Sequence, residues 1–353
     1  MSLPGSVAGP RVSDAGERAL IERIRQRVPP PDPALLVGIG DDAAVAAPDR
    51  GALQVLTTDA LVEGVHFDRR FSTPADIGYK ALAVNVSDVA SMGGRSRFAL
   101  LSLMLPVETT MSEVDALLDG LLDLAAQTRI TLAGGNITRS PGPLVVDVTV
   151  VGSVRQRKVL TRSGGHAGDL LYVTGQIGAA AAGLDWLRHE TADSSGGRPS
   201  AGPGRSWNEA LGECIARHCR PEPRARVGAI LGRTKAATAC MDLSDGLADA
   251  VSQLSSASGT GARIDAELLP IHPGAKEWFG RRGTDPTAAS IAGGDDYELL
   301  FAVSPKKRGR LRGVTREARG LAITRIGELT ADRSVGLLRN GQLEPLPSGF
   351  VHF

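Results

Sequence analysis

The stretch "LTTDALVEGVHF" (Leu56–Phe67) joins an apolar, strand-like run to three ionisable side chains, Asp59, Glu63 and His66. With the residues before it, "ALQVLTTDAL" reads as a β-strand. Upstream, "GIGDDAAV" (Gly38–Val45) carries two adjacent aspartates. Downstream, "NVSDVASMGG" (Asn85–Gly94) sets Asp88 inside an apolar stretch. The pattern returns in "MDLSDGLADAV" (Met241–Val251) and "GGDDYELLF" (Gly293–Phe301).

The flanking segments supply an α/β frame. In "AGERALIERIRQRV" (Ala15–Val28), Leu20, Ile21, Ile24 and Val28 recur at helical spacing, and "PPPDP" ends the helix. "DIGYKALAVNVSDVASMG" reads as a helix and "FALLSLMLP" as a buried strand stopped by Pro106. "MSEVDALLDGLLDLAAQT" is an amphipathic helix with Ser112 as its expected N-cap. "ITLAGGNITRS" reads as a strand running into a glycine turn, and "LVVDVTVVGSV" as another strand. Strands and helices alternate, as in an α/β domain. Near residue 155 the pattern restarts with "GDLLYVTGQIGAAAAGLDWL". We therefore expect a disordered lead over 1–15, an α/β domain over 16–154, and an α+β domain over 155–353. "TADSSGGRPSAGPGRS" (191–206) reads as a flexible insertion in the second domain.

Bulk properties narrow the function. A chain of 353 residues suggests two cores. A net charge of +1 gives no broad field for nucleic acid or a membrane surface. The three cysteines, Cys214, Cys219 and Cys240, make no CxxC pair, so we expect a reducing, cytoplasmic setting. Cys214, His218 and Cys219 lack the second ligand pair of a zinc site. The first residues show no signal-peptide core, and no apolar run approaches the roughly 20 residues that span a bilayer.

Each Asp-bearing turn, taken alone, is ordinary turn or N-cap chemistry. Together, Asp41, Asp42, Asp59, Asp88, Asp242, Asp245, Asp295 and Asp296 fall at edges of apolar elements. Such edges converge in α/β folds. Converging carboxylates repel unless a cation joins them, and an all-oxygen set suits Mg²⁺. Mg²⁺ on a few carboxylates serves substrate phosphates. There is no P-loop and no protein-kinase motif set. "GGN" (Gly134–Asn136) and Arg162 of "LTRSG" are candidate phosphate contacts, against the plainer readings of a strand-end turn and a solvated arginine. The set suits in-line phosphoryl transfer, which needs positioning and charge neutralisation.

In order and spacing, "GIGDDAAV", "TTDALVEGVHF", "YKALAVNVSDVASMG", "AGGNITRS", "LTRSGGHAGD", "RARVGAI", "MDLSDGLADAV" and "GGDDYELLF" resemble the thiamine-monophosphate kinase family of the AIR synthetase-like superfamily. The resemblance implies a two-domain fold and a homodimer whose N-terminal domains share a barrel. It implies ATP-dependent, Mg²⁺-assisted phosphorylation of thiamine monophosphate to thiamine diphosphate. Carried over by position, Asp42, Thr57, Thr58, Asp59, Asp88, Asn136, Asp242 and Asp245 are implied metal ligands, with Asp59, Asp88 and Asp245 carrying the catalysis. Gly135, Asn136, Arg162 and Ser244 are implied ATP contacts, and His66, Asp295 and Phe350 contacts to thiamine monophosphate. Position 136 is Asn where the family pattern has Asp. Two rival readings stay open: another ATP-dependent enzyme of the superfamily, or a silent ATP-binding regulator with the same fold.

Overall fold

The computed structural model describes residues 10–193 and 209–349. The chain divides into two compact units. The first comprises Met1–Arg50, Leu56–Asn85 and Ser96–Val151; the second comprises Gly51–Val55, Val86–Arg95 and Gly152–Phe353. The expected insertion at 191–206 lies outside the described residues from position 194 on.

The N-terminal part begins with a helical turn, α1 (Val12–Ala15), at the end of the stretch expected as a lead. Val12 N–H donates to the Thr109 carbonyl at 3.0 Å, which ties that turn down. Helix α2 (Glu17–Arg27) buries Leu20 and Ile24, one turn apart on a single face. Strands β1 (Leu35–Val37) and β2 (Val45–Ala46) form a small ribbon. Strands β3 (Ala52–Val62), β4 (Arg95–Leu105), β5 (Thr131–Arg139) and β6 (Val145–Arg155) form one sheet in the order β3-β6-β4-β5. Helices α3 (Pro74–Ser91) and α4 (Met111–Thr128) complete this part of the chain.

β4 and β5 are parallel, with Leu101 opposite Gly135 and Ser102 opposite Asn136. Parallel neighbours need a crossover, and α4 supplies it. α4 is capped by Thr110 rather than by Ser112. Thr110 accepts from Glu113 N–H, and the Glu113 carboxylate reaches back to Thr110 N–H in a capping box. α3 and α4 touch through glycines. A Cβ on Gly78 would stand 1.9 Å from the Leu117 carbonyl oxygen, and one on Gly120 1.8 Å from that of Ala75.

In the second unit, strands β7 (Leu170–Thr174), β8 (Ala239–Asp242), β9 (Gly261–Asp265), β10 (Leu299–Val303), β11 (Ile323–Thr330), β12 (Val335–Arg339) and β13 (Gln342–Pro345) form a mixed sheet. Its order is β13-β12-β9-β11-β7-β10-β8. The helices are α5 (Ala179–Asp193), α6 (Glu209–Cys219), α7 (Ala225–Thr234), α8 (Leu247–Ser258), α9 (Pro273–Arg281), α10 (Pro286–Ala292) and α11 (Arg308–Glu317). Both faces of the sheet are covered, and β10 shows why its sequence is an unbroken apolar run. Leu300 and Ala302 join one core cluster with α8 and α9 residues, whereas Leu299, Phe301 and Val303 join another with α7 and α11 residues. A strand buried on both faces has no polar alternation to display.

Candidate active site

Chain geometry in the second unit stitches two sequence motifs into one surface. β8 ends at Asp242, the turn Leu243–Gly246 follows, and α8 begins at Leu247. Gly246 has φ +98°, and a Cβ there would lie 2.8–2.9 Å from the carbonyl oxygens of Gly293, Ala292 and Ile291. Only glycine fits. Asp295 N–H donates to the Ser244 carbonyl at 2.7 Å, and Tyr297 N–H donates to the Leu243 carbonyl at 2.9 Å. Asp295 itself sits in the left-handed region with φ +68°. The turn that carries Asp242, Ser244 and Asp245 is thereby laid against the one that carries Asp295. The ring of His218, which is buried, lies 3.5 Å from the Asp295 carboxylate.

Asp242 is 4 % exposed. Its carboxyl is pushed up to about 6, first by burial and then by the negative charge of Asp88. Hydrogen bonding from Ser87 and the positive charge of Arg162 act the other way. Three of the sequence-predicted residues, Asp88, Asp242 and Arg162, thus share one electrostatic neighbourhood. Arg162 is exposed and donates to Gln253 Oε1; Gln253 Nε2 in turn donates to Asp249 Oδ2 at 2.5 Å. Gly349 completes this side: a Cβ there would stand 2.9 Å from the Asp245 carbonyl oxygen and 3.1 Å from Asp249 Cβ. Phe350 lies outside the described residues.

Two further acids in this region do structural work. Asp296 is buried and accepts from Gly178 N–H at 2.7 Å and Ala180 N–H at 3.2 Å, anchoring the start of α5. Burial pushes its carboxyl up to about 7, despite those two hydrogen bonds. Glu298, missed by the motif reading, is buried with Arg224. Arg224 Nε donates to Glu298 Oε2 at 2.6 Å, and its Nη2 donates to Oε1. Thr174 Oγ1 also donates to Oε2, at 2.6 Å. The available signal was a lone Glu inside the apolar run "YELLFAV".

In the first unit, a cavity of about 850 Å³ opens between the Gly38–Ala44 segment and strands β4 and β5. Asp41, Asp42, Ser102, Gly135, Asn136 and Thr149 line it. The glycines of "GGN" do not form a turn. They lie within β5, and a Cβ on Gly135 would stand 1.9 Å from the Leu101 carbonyl oxygen. Asn136 Nδ2 is 3.5 Å from Ser102 Oγ. Asp59 lies inside β3, not at its edge, and strand alternation puts Thr57 and Asp59 on the face opposite Thr58. Thr58 Oγ1 lies 3.0 Å from Asp147 Oδ1 and 2.9 Å from Thr149 Oγ1, so its hydroxyl serves the sheet. His66 Nδ1 accepts from Val62 N–H at 3.0 Å, which fixes that nitrogen as the unprotonated one. Among the described residues, no three His, Cys, Asp or Glu side chains close into a ready-made metal cage.

Comparison with known proteins accounts for both units. The family described as "AIR synthase related protein, N-terminal domain" matches residues 40–154, and its C-terminal counterpart matches residues 166–339. The thiamine-monophosphate kinase of Bacillus subtilis (strain 168) is 38 % identical over 327 residues, spanning 90 % of this chain and 93 % of its own. The chain belongs to the thiamine-monophosphate kinase family. The solved thiamine-monophosphate kinase of Stenotrophomonas maltophilia K279a superposes with a TM-score of 0.78 at 35 % identity, covering 92 % of this chain and 96 % of that one. A structure of AaThiL complexed with AMPPCP and TMP superposes with a TM-score of 0.73 at 31 % identity, covering 97 % and 99 %. The two-domain AIR synthase-like fold of the thiamine-monophosphate kinase family is therefore this chain's fold. No helix among the described residues is long and apolar enough to cross a membrane.

Proposed function

We propose that this protein transfers the γ-phosphoryl group of ATP to the phosphate of thiamine monophosphate, forming thiamine diphosphate and ADP. The observation that carries the reading is the buried Asp242 at the end of β8, bonded by the hydroxyl of Ser87 next to Asp88, within the electrostatic reach of Asp88 and Arg162 and followed by the turn of Ser244 and Asp245. Two buried or half-buried carboxylates beside one arginine suit a site that receives phosphates together with a cation.

The acceptor is a phosphate oxygen that is already anionic, so no side chain has to remove a proton. The new bond joins that oxygen to the γ-phosphorus, and the bond from the γ-phosphorus to the β-γ bridging oxygen breaks, releasing ADP. Arg162, held by Gln253, is placed to balance phosphate charge. Asp88, Asp242 and Asp245 offer oxygen donors only, which fits Mg²⁺. When bound, Mg²⁺ neutralises phosphate charge that would otherwise repel the incoming acceptor. In the first unit, Asp42, Thr57, Asp59 and Asn136 are the oxygen donors assigned to Mg²⁺. Thr58 is assigned to the same set, although its hydroxyl is engaged with Asp147 and Thr149 of β6. Gly135, Asn136 and Ser244 are assigned to ATP. His66, Asp295 and Phe350 are assigned to thiamine monophosphate.

A homodimer through the β3-β6-β4-β5 sheet fits the apolar side chains that sheet leaves in solvent. Leu56 on the edge strand is 67 % exposed and Leu100 on β4 is 37 % exposed. The cytosol is the compartment that suits three free cysteines. Purified protein with ATP, Mg²⁺ and thiamine monophosphate should form thiamine diphosphate, followed by chromatography. ATP consumption without that product would favour another superfamily activity. Binding of ATP with no turnover would favour a silent regulator.

A further inference from the structure

Helix α3 presents two consecutive polar residues, Ser87 and Asp88, inside an apolar segment. Successive helix positions point about 100° apart, and the two side chains have different surroundings. Asp88 is half-buried, while Ser87 is fully buried. The Ser87 hydroxyl donates to Asp242 Oδ2 at 2.6 Å, across 155 residues of sequence. That length is the range of a charge-assisted O–H···O⁻ bond. Asp242 is itself 4 % exposed, so water does not compete for Oδ2.

We propose that Ser87 is a positioning residue: its hydroxyl holds Oδ2 of Asp242 and so turns Oδ1 toward the cation-binding side that Asp242 shares with Asp88. The inference rests on the Mg²⁺ reading of the Asp88–Asp242 pair. The terminal torsion of a carboxylate is broad and roughly two-fold, so a fixed side-chain donor, added to the backbone hydrogen bond Asp242 also has, distinguishes its two oxygens. With it, one oxygen is occupied and the plane of the group is set. One turn of α3 then supplies both a ligand and the donor that orients the ligand facing it. Partners of this kind, behind a ligating carboxylate, typically affect metal affinity by about 10–100-fold.

The test is calorimetric titration with Mg²⁺ in the presence of a non-hydrolysable ATP analogue, so that no turnover is involved, on the full-length enzyme and on Ser87→Ala and Ser87→Thr. Ser87→Ala should weaken Mg²⁺ binding about tenfold or more and raise the half-saturating Mg²⁺ for turnover equally, with KM for thiamine monophosphate unchanged. Melting in EDTA should fall somewhat, because a buried charge-assisted hydrogen bond is lost, and the extra stabilisation given by Mg²⁺ with the analogue should shrink as well. Ser87→Thr keeps the hydroxyl and should restore affinity to within about threefold. Parental Mg²⁺ affinity in Ser87→Ala would overturn the proposal, as would a Thr variant that folds but binds as weakly as the Ala variant. If the unsubstituted enzyme itself took up no Mg²⁺ with the analogue, the metal reading of the site would fail, and this inference with it.

Discussion

Gly135 runs so close to Leu101 on the neighbouring parallel strand that a Cβ at position 135 would sit 1.9 Å from the Leu101 carbonyl oxygen. The obstacle is backbone, which cannot swing aside as a side chain would. Next to it, a Cβ on Gly134 would meet only the Leu100 Cδ2 methyl, at 3.3 Å. Gly135→Ala should therefore push β5 away from β4, deform the cavity lined by Asn136 and cost about 3 kcal/mol or more of stability. Gly134→Ala should cost well under half as much. Thermal melts of the two variants decide this; equal melting temperatures would contradict it.

Asp88→Asn keeps the shape of the side chain and removes its charge. On the proposed reading, kcat should fall at least about a hundredfold, or about 2.7 kcal/mol of barrier, with the fold retained. Near-normal turnover at saturating Mg²⁺ would argue that Asp88 has no role in holding the metal.

Arg224 and Glu298 form a buried two-point ion pair, with Thr174 satisfying a further lone pair. Glu298→Gln leaves the Arg224 charge buried, with Glu222, 2.8 Å away and 64 % exposed, as its remaining close acid among the described residues. Breaking one side of such a pair costs about 3–5 kcal/mol. We expect the lower end of that range in urea denaturation, because Glu222 remains. A loss under about 1 kcal/mol would show that the pair contributes little.

Stability should also depend on pH through Asp296. Its carboxyl is raised to about 7 in the folded protein by burial, against about 3.9 in an unfolded chain. The folded state then binds this proton more tightly than the unfolded state does. Its contribution to stability is fully present below about pH 4 and is lost as pH rises through about 7. Asp296→Asn removes that dependence, while the lost acceptor for Gly178 or Ala180 adds an offset that does not vary with pH. Unfolding free energies measured from pH 5 to 8 should decline less steeply in the variant. Parallel curves would show that Asp296 does not titrate in this range.

Periodicity within single segments was enough to place α2, α3, α4 and the strands around Leu56, Leu101 and Val148, because the spacing of apolar residues is a local property of the chain. The order of the motifs also pointed to the family, since each motif is a short string readable without knowing its neighbours. What the chain segments meet is not local. That Asp88 and Asp242 share a neighbourhood, with Ser87 bonded across 155 positions, follows from the contact between the Ser87–Asp88 turn and the end of β8. The two aspartates of "GGDD" look alike in sequence, yet Asp295 lies on the turn surface and Asp296 is buried against α5, because successive side chains leave the backbone in different directions. "GGN" looked like a turn because glycine is usually spent on unusual backbone angles. Here it is required by the approach of a parallel strand, which only the tertiary structure supplies. The cap of α4 moved from Ser112 to Thr110 for a similar reason: both can cap, and the backbone path into the helix selects the one whose hydroxyl faces Glu113 N–H.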